Sequence, residues 1–576
     1  MLNISSSPFP AALVRTLLAI FLLALRLPAA AQAPAWQSAQ AVAAATTVAT
    51  GNGSQVTATA VDAAGNVFLT GTFFSTVVLG GTTLTSLGGS DVFVAKFNPA
   101  TNQFVWAQRA GGTDDDGANT LALSGASVYI AGSFRSPTAG FGTTTLTTVV
   151  AANVFVAKLT DAGSTGSFVW AQRAGGTGTA SAYALAVSDT SVYVAGFFIS
   201  PTAGFGAITL TNAGPNGSSD VFVAKLSDAG PTGSFAWVQQ AGGTDYDEAT
   251  ALAVSGTSVY VTGSFMSPTV SFGSTTLTTA GGRDVFVAKL MDAGPTSSFA
   301  WAQRAGGTGG DYANALAVSG TSVYVAGSFS SPTAGFGPAT LTNTGANTGA
   351  SDVYVAKLTD AGSTGSFIWA QQAGGTGTET ARTLAVSGTS VYVAGDFLSS
   401  TAGFGPATVT NMGLSDVFVA KLTDAGLTGS FAWAQRAGGT GYDRAQTLVV
   451  SGTSVYIAGY FQSLTADFST ITLTNPNTNT PLGFLATLTD PTITATAASR
   501  ALAPAQLFPN PAHHTASLRL PAGTAPAPLT LTDALGRAVR RYPVPAGPEA
   551  ALDLQGLPAG LYLLRGAGPA QRLAVE

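Results

Sequence analysis

Carboxylates recur at one position of a repeated sequence unit, shortly after its Gly-Gly-Thr turn. Clustered carboxylates provide the oxygen ligands that Ca²⁺ prefers, and a pair of them can supply the acid and the base that cleave a glycosidic bond. The position varies, however, because other copies hold Ser54, Ala180 and Glu379, and no Asp-x-Asp-x-Asp-Gly calcium loop is complete. We expect solvated turns that begin a strand, with Ca²⁺ binding and catalysis as the alternatives. The residues are Asp114, Asp115, Asp116, Asp245, Asp247, Asp311 and Asp443.

Three other residue types recur with the same period. We expect the tryptophans to pack between repeats rather than to stack sugars, the lysines to reach water or a neighbouring acid rather than to bind an anion, and the aspartates to cap Asp-Ala-Gly turns. The tryptophans are Trp36, Trp106, Trp170, Trp237, Trp301, Trp369 and Trp433. The lysines are Lys96, Lys158, Lys225, Lys289, Lys357 and Lys421. The turn aspartates are Asp161, Asp228, Asp292, Asp360 and Asp424.

Composition excludes several functions. The net charge is −5 and only 9% of the 576 residues are charged, so the chain has no basic surface for nucleic acid. It has no cysteine, which excludes disulfides and thiolate sites. The only histidines, His513 and His514, lie near the C-terminus, so the repeats cannot hold a Ser-His-Asp triad or a zinc site with a histidine ligand.

Each repeat consists of short segments rich in Val, Tyr, Phe and Thr, bounded by Gly, Asp or Ser. One copy comprises residues 249–255, 258–265, 284–289 and 299–304, which we name strands a, b, c and d, with a loop between b and c. Radial repetition of four-stranded antiparallel units predicts a β-propeller. Strands a, b and c occur seven times, and the missing last strand d is predicted around Trp36. Residues 34–489 are therefore predicted to form a seven-bladed β-propeller closed by the N-terminal strand, with a period of about 66 residues.

The repeats resemble the bacterial β-propeller repeat family called SBBP. The resemblance lies in the Gly-Gly-Thr turn, the Ala-Leu-Ala-Val strand, Val-Tyr-Val-Ala-Gly, Phe-Gly with Thr-Leu-Thr, and Asp-Val-Phe-Val-Ala-Lys. It implies the propeller fold and export, and no particular activity.

The two ends of the chain indicate export. Residues 1–31 have the charged, apolar and small-residue pattern of a signal peptide, and no later stretch predicts a transmembrane helix. Residues 490–504 are rich in Pro, Thr and Ala and predict a linker. In residues 505–576, alternating strands and Asp-x-x-Gly and Pro-Ala-Gly turns predict a small β-sandwich. With the motif Phe508-Pro509-Asn510-Pro511, this segment resembles the C-terminal sorting domain of the type IX secretion system, which implies that machinery as a partner and transport through the periplasm across the outer membrane.

The uniformity of the repeats favours a binding role over catalysis, because an enzyme would need one irregular blade with a private pair of acids. We expect an exported, non-enzymatic module, secreted or on the cell surface, that binds a glycan or a protein without a cofactor. The alternatives are a secreted polysaccharide-active enzyme and a passive structural or adhesive surface component. The b–c and d–a loops share one face, and this face is the predicted interaction surface.

Overall fold

The computed structural model describes residues 33–491, apart from 43, 46–52, 149–150, 216, 347–348 and 479. It also describes residues 506–576, apart from 520–527, 534–536, 544–548 and 566–570. The predicted signal peptide and all but the first two residues of the predicted linker lie outside the described residues. The chain divides into two compact bodies, Met1–Ile493 and Thr494–Glu576.

The first body contains seven antiparallel four-stranded units, repeats 1 to 7, and no helix among its described residues apart from a single 3₁₀ residue. Each strand pairs with the next because the segments are short, β-branched and aromatic and are separated by tight turns. Strand a spans Gly53–Val61, Asp116–Ser124, Ala180–Ser188, Asp247–Ser255, Asp311–Ser319, Glu379–Ser387 and Asp443–Ser451. Strand b spans Val67–Phe74, Ser127–Phe134, Ser191–Phe198, Ser258–Phe265, Ser322–Phe329, Ser390–Phe397 and Ser454–Phe461.

The outer two strands complete each repeat. Strand c spans Asp91–Asn98, Asn153–Asp161, Asp220–Asp228, Asp284–Asp292, Asp352–Asp360, Asp416–Asp424 and Leu482–Thr489. Strand d of repeats 1 to 6 spans Gln103–Gly112, Gly166–Gly175, Gly233–Ala241, Ser297–Ala305, Gly365–Ala373 and Gly429–Ala437. In repeat 7 the fourth strand is Trp36–Val42, which pairs antiparallel with Leu482–Thr489. The N-terminal segment thus supplies the strand that the seventh repeat lacks in its own sequence.

The pairing register places Trp36 differently from the other tryptophans. Trp36 pairs with Leu488, whereas Trp170 pairs with Lys158 and Phe168 pairs with the following residue. Trp36 therefore occupies the phenylalanine position, and its ring meets Phe468 edge-on at 5.1 Å, as Phe168 meets Phe141 at 5.8 Å. The predicted alignment of Trp36 with the other six tryptophans was therefore wrong by two residues.

The b–c connection is more regular than the predicted loop. In every repeat it contains a two-stranded hairpin, because alternating Thr, Leu and Phe flank a turn at a residue with positive φ, such as Gly273 at 59°. The hairpins also join neighbours: Ala174 and Gly175 of strand d in repeat 2 pair with the hairpin of repeat 3. The hairpins are Thr76–Leu79 with Thr82–Thr85, Thr138–Phe141 with Thr144–Thr147, Thr202–Phe205 with Ile208–Thr211, Thr269–Phe272 with Thr275–Thr278, Thr333–Phe336 with Ala339–Thr342, Thr401–Phe404 with Ala407–Thr410, and Thr465–Phe468 with Ile471–Thr474.

The apolar core of this body lies between successive repeats rather than within them. Each of its seven clusters combines side chains of two neighbouring repeats. One cluster joins repeat 7 to repeat 1 through Tyr456 and Leu485 on one side and Val56 and Leu69 on the other. The neighbouring segment Ala44–Ala45 pairs with the hairpin of repeat 1.

The second body has two small antiparallel sheets around a leucine-rich core. One sheet contains Gln506–Phe508, Thr515–Arg519 and Glu549–Asp553 in that order. The other contains Ala538–Tyr542, Leu529–Thr532, Gly560–Arg565 and Gln571–Val575 in that order. The predicted alternation of strands and turns is thus present as two packed sheets.

Candidate functional site

Four of the predicted metal ligands are buried at the first residue of strand a. Asp116 accepts hydrogen bonds at Oδ2 from Gly112 N (2.7 Å) and Ser136 Oγ (2.6 Å), and at Oδ1 from two backbone N–H groups. Burial raises the pKa of this carboxyl despite these bonds. Asp247, Asp311 and Asp443 repeat the arrangement, and burial raises the pKa of Asp247 to about 6. These carboxylates are surrounded by hydrogen-bond donors, where a cation site would need open space.

A second buried acid begins strand c in five repeats. Asp220 and Asp247 lie close enough that the charge of Asp220 raises the pKa of Asp247. Oδ1 of Asp220 has no hydrogen-bond partner, but it is covered by Gly242, where a Cβ would lie only 2.0 Å away. The backbone of Gly242 occupies the space beside this oxygen, so the carboxylate pair does not form an open cation site. The other members are Asp91, Asp284, Asp352 and Asp416.

The remaining predicted acids belong to the loops before strand a. Asp114 and Asp245 each accept the N–H of the following residue, and Asp115 accepts the N–H and the hydroxyl of Ser90. No group of three His, Cys, Asp or Glu residues that could hold a metal occurs in the described ranges. The residues present therefore do not fit Ca²⁺.

The turn aspartates join neighbouring repeats through a shared polar cluster. Asp292 accepts Lys225 Nζ and Tyr193 OH, both at 2.6 Å, and Trp237 Nε1 at 3.1 Å. Burial raises the pKa of Asp292, but the bonds from Lys225 and Tyr193 outweigh burial and lower it overall. Burial and the bond to Asp292 raise the pKa of Tyr193 to about 12. These contacts give the lysines and tryptophans a structural role between repeats.

The lysine–aspartate pair of this inter-repeat polar cluster occurs at six interfaces; a tryptophan Nε1 joins it at the first five and a tyrosine hydroxyl at the last five, because phenylalanine replaces tyrosine in repeat 1. The aspartates and their lysine partners are Asp161 with Lys96, Asp228 with Lys158, Asp292 with Lys225, Asp360 with Lys289, Asp424 with Lys357, and Asp490 with Lys421. The interface of repeat 7 with repeat 1 differs, because Thr487 and Ser38 stand at the lysine and tryptophan positions. The c–d turn of repeat 1, residues 99–102, also lacks an aspartate.

A cavity of about 420 Å³ is lined by side chains from all seven repeats. It lies along the strands a and continues into a smaller cavity of about 170 Å³ walled by leucines such as Leu252 and Leu316. Sequence reasoning placed no site here. The lining residues of the larger cavity, which we name the shared cavity, are Thr57, Asn119, Tyr183, Glu248, Thr250, Asn314, Arg382 and Gln446.

All of these except Glu248 occupy one repeat position, an extra residue that bulges from strand a. In four repeats the residue is short and bonds the backbone carbonyl of the next strand a: Thr57 Oγ1 to Ala118 O at 2.7 Å, and Thr250 Oγ1 to Ala313 O at 2.6 Å. Asn119 and Asn314 make the equivalent bonds at 2.9 and 2.8 Å.

Tyr183, Arg382 and Gln446 replace the short side chain in the other three repeats. In the described structure none of them makes the bond to the next strand. Each gives up a hydrogen bond that typically contributes about 0.5–1.5 kcal/mol and places a larger functional group at the cavity instead. Departures of this kind from an otherwise consistent repeat are typical of functional positions. Comparison of the strands a position by position would have revealed them in the sequence.

Three ion pairs involve residues at or beside the shared cavity. Arg283 Nη1 lies 2.6 Å from Glu248 Oε1, and its guanidinium lies over the ring of Tyr312 at 5.4 Å. In repeats 6 and 7, Asp396 is paired with both Arg382 and Arg444. The cavity thus combines guanidinium, carboxylate, amide, hydroxyl and aromatic groups, the set from which proteins build sites for polar organic ligands.

In the second body the motif Phe508–Pro511 is tied to the last strand. Asn510 Nδ2 donates to Arg572 O at 2.7 Å, and Asn510 Oδ1 accepts Ala574 N at 2.9 Å. The ring of Phe508 is 39% exposed and lies 5.5 Å from the guanidinium carbon of Arg519. The motif therefore forms one structure with the strand Gln571–Val575.

Residues 506–572 match the model of a secretion system C-terminal sorting domain. The chain carries a type IX secretion sorting domain. This domain identifies an exported protein that interacts with the type IX machinery and reaches the cell surface or the extracellular space across the outer membrane. The described residues contain no helix long and apolar enough to cross a membrane.

For the chain as a whole, the similarities to known proteins are weaker. No curated protein matches it. Among solved structures it is similar to the crystal structure of a protein from Lactobacillus plantarum, with 12% sequence identity and a TM-score of 0.26. That match covers 62% of this chain and 98% of the other.

Proposed function

We propose that the seven repeats form a seven-bladed β-propeller of the SBBP type, closed by Trp36–Val42, and that this exported propeller is a non-enzymatic module that binds carbohydrate at the shared cavity. The pairing of the N-terminal strand with Leu482–Thr489 supports closure. So does the contact between the first and last strands a, where the Oγ1 atoms of Thr59 and Thr447 lie 2.9 Å apart.

The observation that carries the binding role is the exchange at Tyr183, Arg382 and Gln446. These residues interrupt a series of inter-repeat hydrogen bonds that Thr or Asn makes in the other repeats. A purely structural array gains nothing from that exchange, since Thr would fit the position and keep the bond. A binding site gains an aromatic face, a guanidinium and an amide, which suit stacking and hydrogen bonding to sugar rings.

The acids of the cavity support binding rather than catalysis. Glu248 is paired with Arg283, and Asp396 is paired with two arginines. A glycosidase needs two carboxyl groups that face the glycosidic bond, whereas both of these acids are engaged by guanidinium groups. The buried acids of strand a, whose pKa values are raised, are enclosed by donors and glycine.

A glycan array probed with the full chain and with two variants tests this proposal. Tyr183→Thr introduces the short side chain of the other repeats, and we expect it to abolish or strongly weaken glycan binding. Asn314→Thr is the matched control: it exchanges one short bonding side chain for another on the same wall, and we expect binding to persist. Absence of any glycan bound by the unaltered chain, or equal binding by Tyr183→Thr, contradicts the proposal.

A further inference from the structure

Two arginines share one carboxylate: Arg382, which lines the shared cavity, and Arg444, which stands at the repeat position that Glu248 holds in repeat 4. Asp396, on strand b of repeat 6, has a side chain only 3% exposed and accepts a hydrogen bond from Nε of Arg382. Nε of Arg444 lies 3.6 Å from the other carboxylate oxygen, which is too far for a hydrogen bond. That Nε atom is buried and has no hydrogen-bond partner among the described residues. The three groups together carry one net positive charge, and the side chain of Arg444 is 34% exposed.

The other side of the cavity is balanced in charge. Glu248 is neutralised by Arg283 at 2.6 Å. Tyr183 packs against Phe197, with ring centroids 5.5 Å apart, and keeps 36% of its surface exposed. This wall offers an aromatic face and hydrogen-bonding groups, but no unmatched charge.

The d–a loops also differ in charge. Asp114, Asp115 and Asp245 lie on the d–a loops that lead into repeats 2 and 4. The loops that lead into repeats 6 and 7, residues 374–378 and 438–442, contain no acidic residue. The positive charge of Arg382 and Arg444 is therefore not opposed by acids of these two loops, which favours an anionic group beside the arginines.

We propose that the carbohydrate is acidic: a saccharide whose hexuronic acid carboxylate binds the guanidinium of Arg444, while the sugar rings lie toward Tyr183. This inference rests on the carbohydrate-binding function proposed above. Arginine suits the role because its planar guanidinium can donate two parallel hydrogen bonds to a carboxylate. Asp396 remains paired with Arg382, so Arg444 carries the unmatched positive charge that the carboxylate binds.

Titration calorimetry with matched tetrasaccharides tests the inference. The probes are the tetramers of (1→4)-linked galacturonic, mannuronic and guluronic acid, each paired with the neutral tetramer in which every carboxyl is reduced to an alcohol. We expect at least one acidic tetramer to bind the full chain about tenfold more tightly than its neutral partner, with an advantage that shrinks as salt is added.

Variants locate the effect. Arg444→Gln removes the unmatched charge and leaves Asp396 paired with Arg382, so the fold is retained; we expect it to bind the acidic and the neutral tetramer equally. Arg444→Lys keeps the charge and should retain part of the preference. Arg173→Gln, an exposed arginine on strand d of repeat 2, changes the net charge by the same amount and should alter nothing.

The outcomes separate the two proposals. Equal binding of acidic and neutral tetramers by the unaltered chain overturns the acidic class and leaves carbohydrate binding in place. A preference for acid that survives in Arg444→Gln overturns the assignment to this arginine. If neither these tetramers nor the neutral members of a glycan array bind, the proposed function fails and the acidic class fails with it.

Discussion

Asp292→Asn tests the inter-repeat polar cluster most sharply. The substitution keeps the size of the side chain but replaces one oxygen by an NH₂ donor that faces Lys225 Nζ and Tyr193 OH, each 2.6 Å from the carboxylate in the native chain. The side chains of Lys225 and Asp292 are only 9% and 6% exposed, so the lysine is left buried without its counter-charge. Breaking such a pair costs about 3–5 kcal/mol. We expect the free energy of unfolding to fall by about that amount.

The assay is urea unfolding followed by tryptophan fluorescence and circular dichroism. Asp62→Asn is the matched control: Asp62 caps the a–b turn of repeat 1 by accepting the N–H groups of Ala64 and Asn66, and no cationic side chain of the described residues pairs with it. Asparagine caps such turns as well, so we expect a change within about 0.5 kcal/mol. Lys225→Met keeps the apolar stem, and in combination with Asp292→Asn it should cost less than the sum of the two single changes.

Two results would refute this reasoning. One is a loss of stability in Asp292→Asn no larger than that in Asp62→Asn. The other is strict additivity of Asp292→Asn and Lys225→Met, since groups that interact directly must show coupling.

Four further predictions follow from the same contacts. Burial raises the pKa of Glu379 to about 7, so the stability that protonated Glu379 contributes is fully present below the unfolded pKa of 4.5 and is lost as pH rises through the folded value. Between about pH 4.5 and pH 7, the free energy of unfolding of Glu379→Gln should therefore fall less than that of the native chain. Equal slopes of stability against pH would contradict this. Deletion of residues 34–44 removes the partner of Leu482–Thr489 at the interface without the polar cluster and should cause aggregation or a large loss of stability, whereas an unchanged melting curve would disprove closure. A Ca²⁺ chelator should leave the melting temperature unchanged, because donors and glycine surround Asp116; a fall would restore the calcium hypothesis. Deletion of residues 505–576 should leave a folded protein in the periplasm, and export at the full-length level would contradict the role of the sorting domain.

The sequence predicted the repeated strands because each has a regular apolar pattern and clear turn residues, and it predicted the sorting domain from a motif that the family model matches. The hairpin after strand b was missed because its strands are only four residues long. Trp36 was misaligned because residue type alone does not fix a register, which depends on the pairing with Leu488.

The shared cavity was missed for a different reason. Its residues are separated by the length of a whole repeat, and only the geometry brings Tyr183, Arg382 and Gln446 to one space. The acidic loops were predicted as candidate sites from residue type alone. In the structure, hydrogen-bond donors enclose Asp116 and its equivalents. The informative signal was variation at a single repeat position, where a structural hydrogen bond is absent.

The most direct test of the account is glycan-array binding by the double variant Tyr183→Thr and Gln446→Thr, which leaves the ion pair of Arg382 with Asp396 intact. Each threonine can make the bond that Thr57 and Thr250 make to the next strand, and each bond is worth about 0.5–1.5 kcal/mol. The account predicts that glycan binding is lost while the free energy of unfolding is unchanged or higher. Retained glycan binding by this folded variant would contradict it.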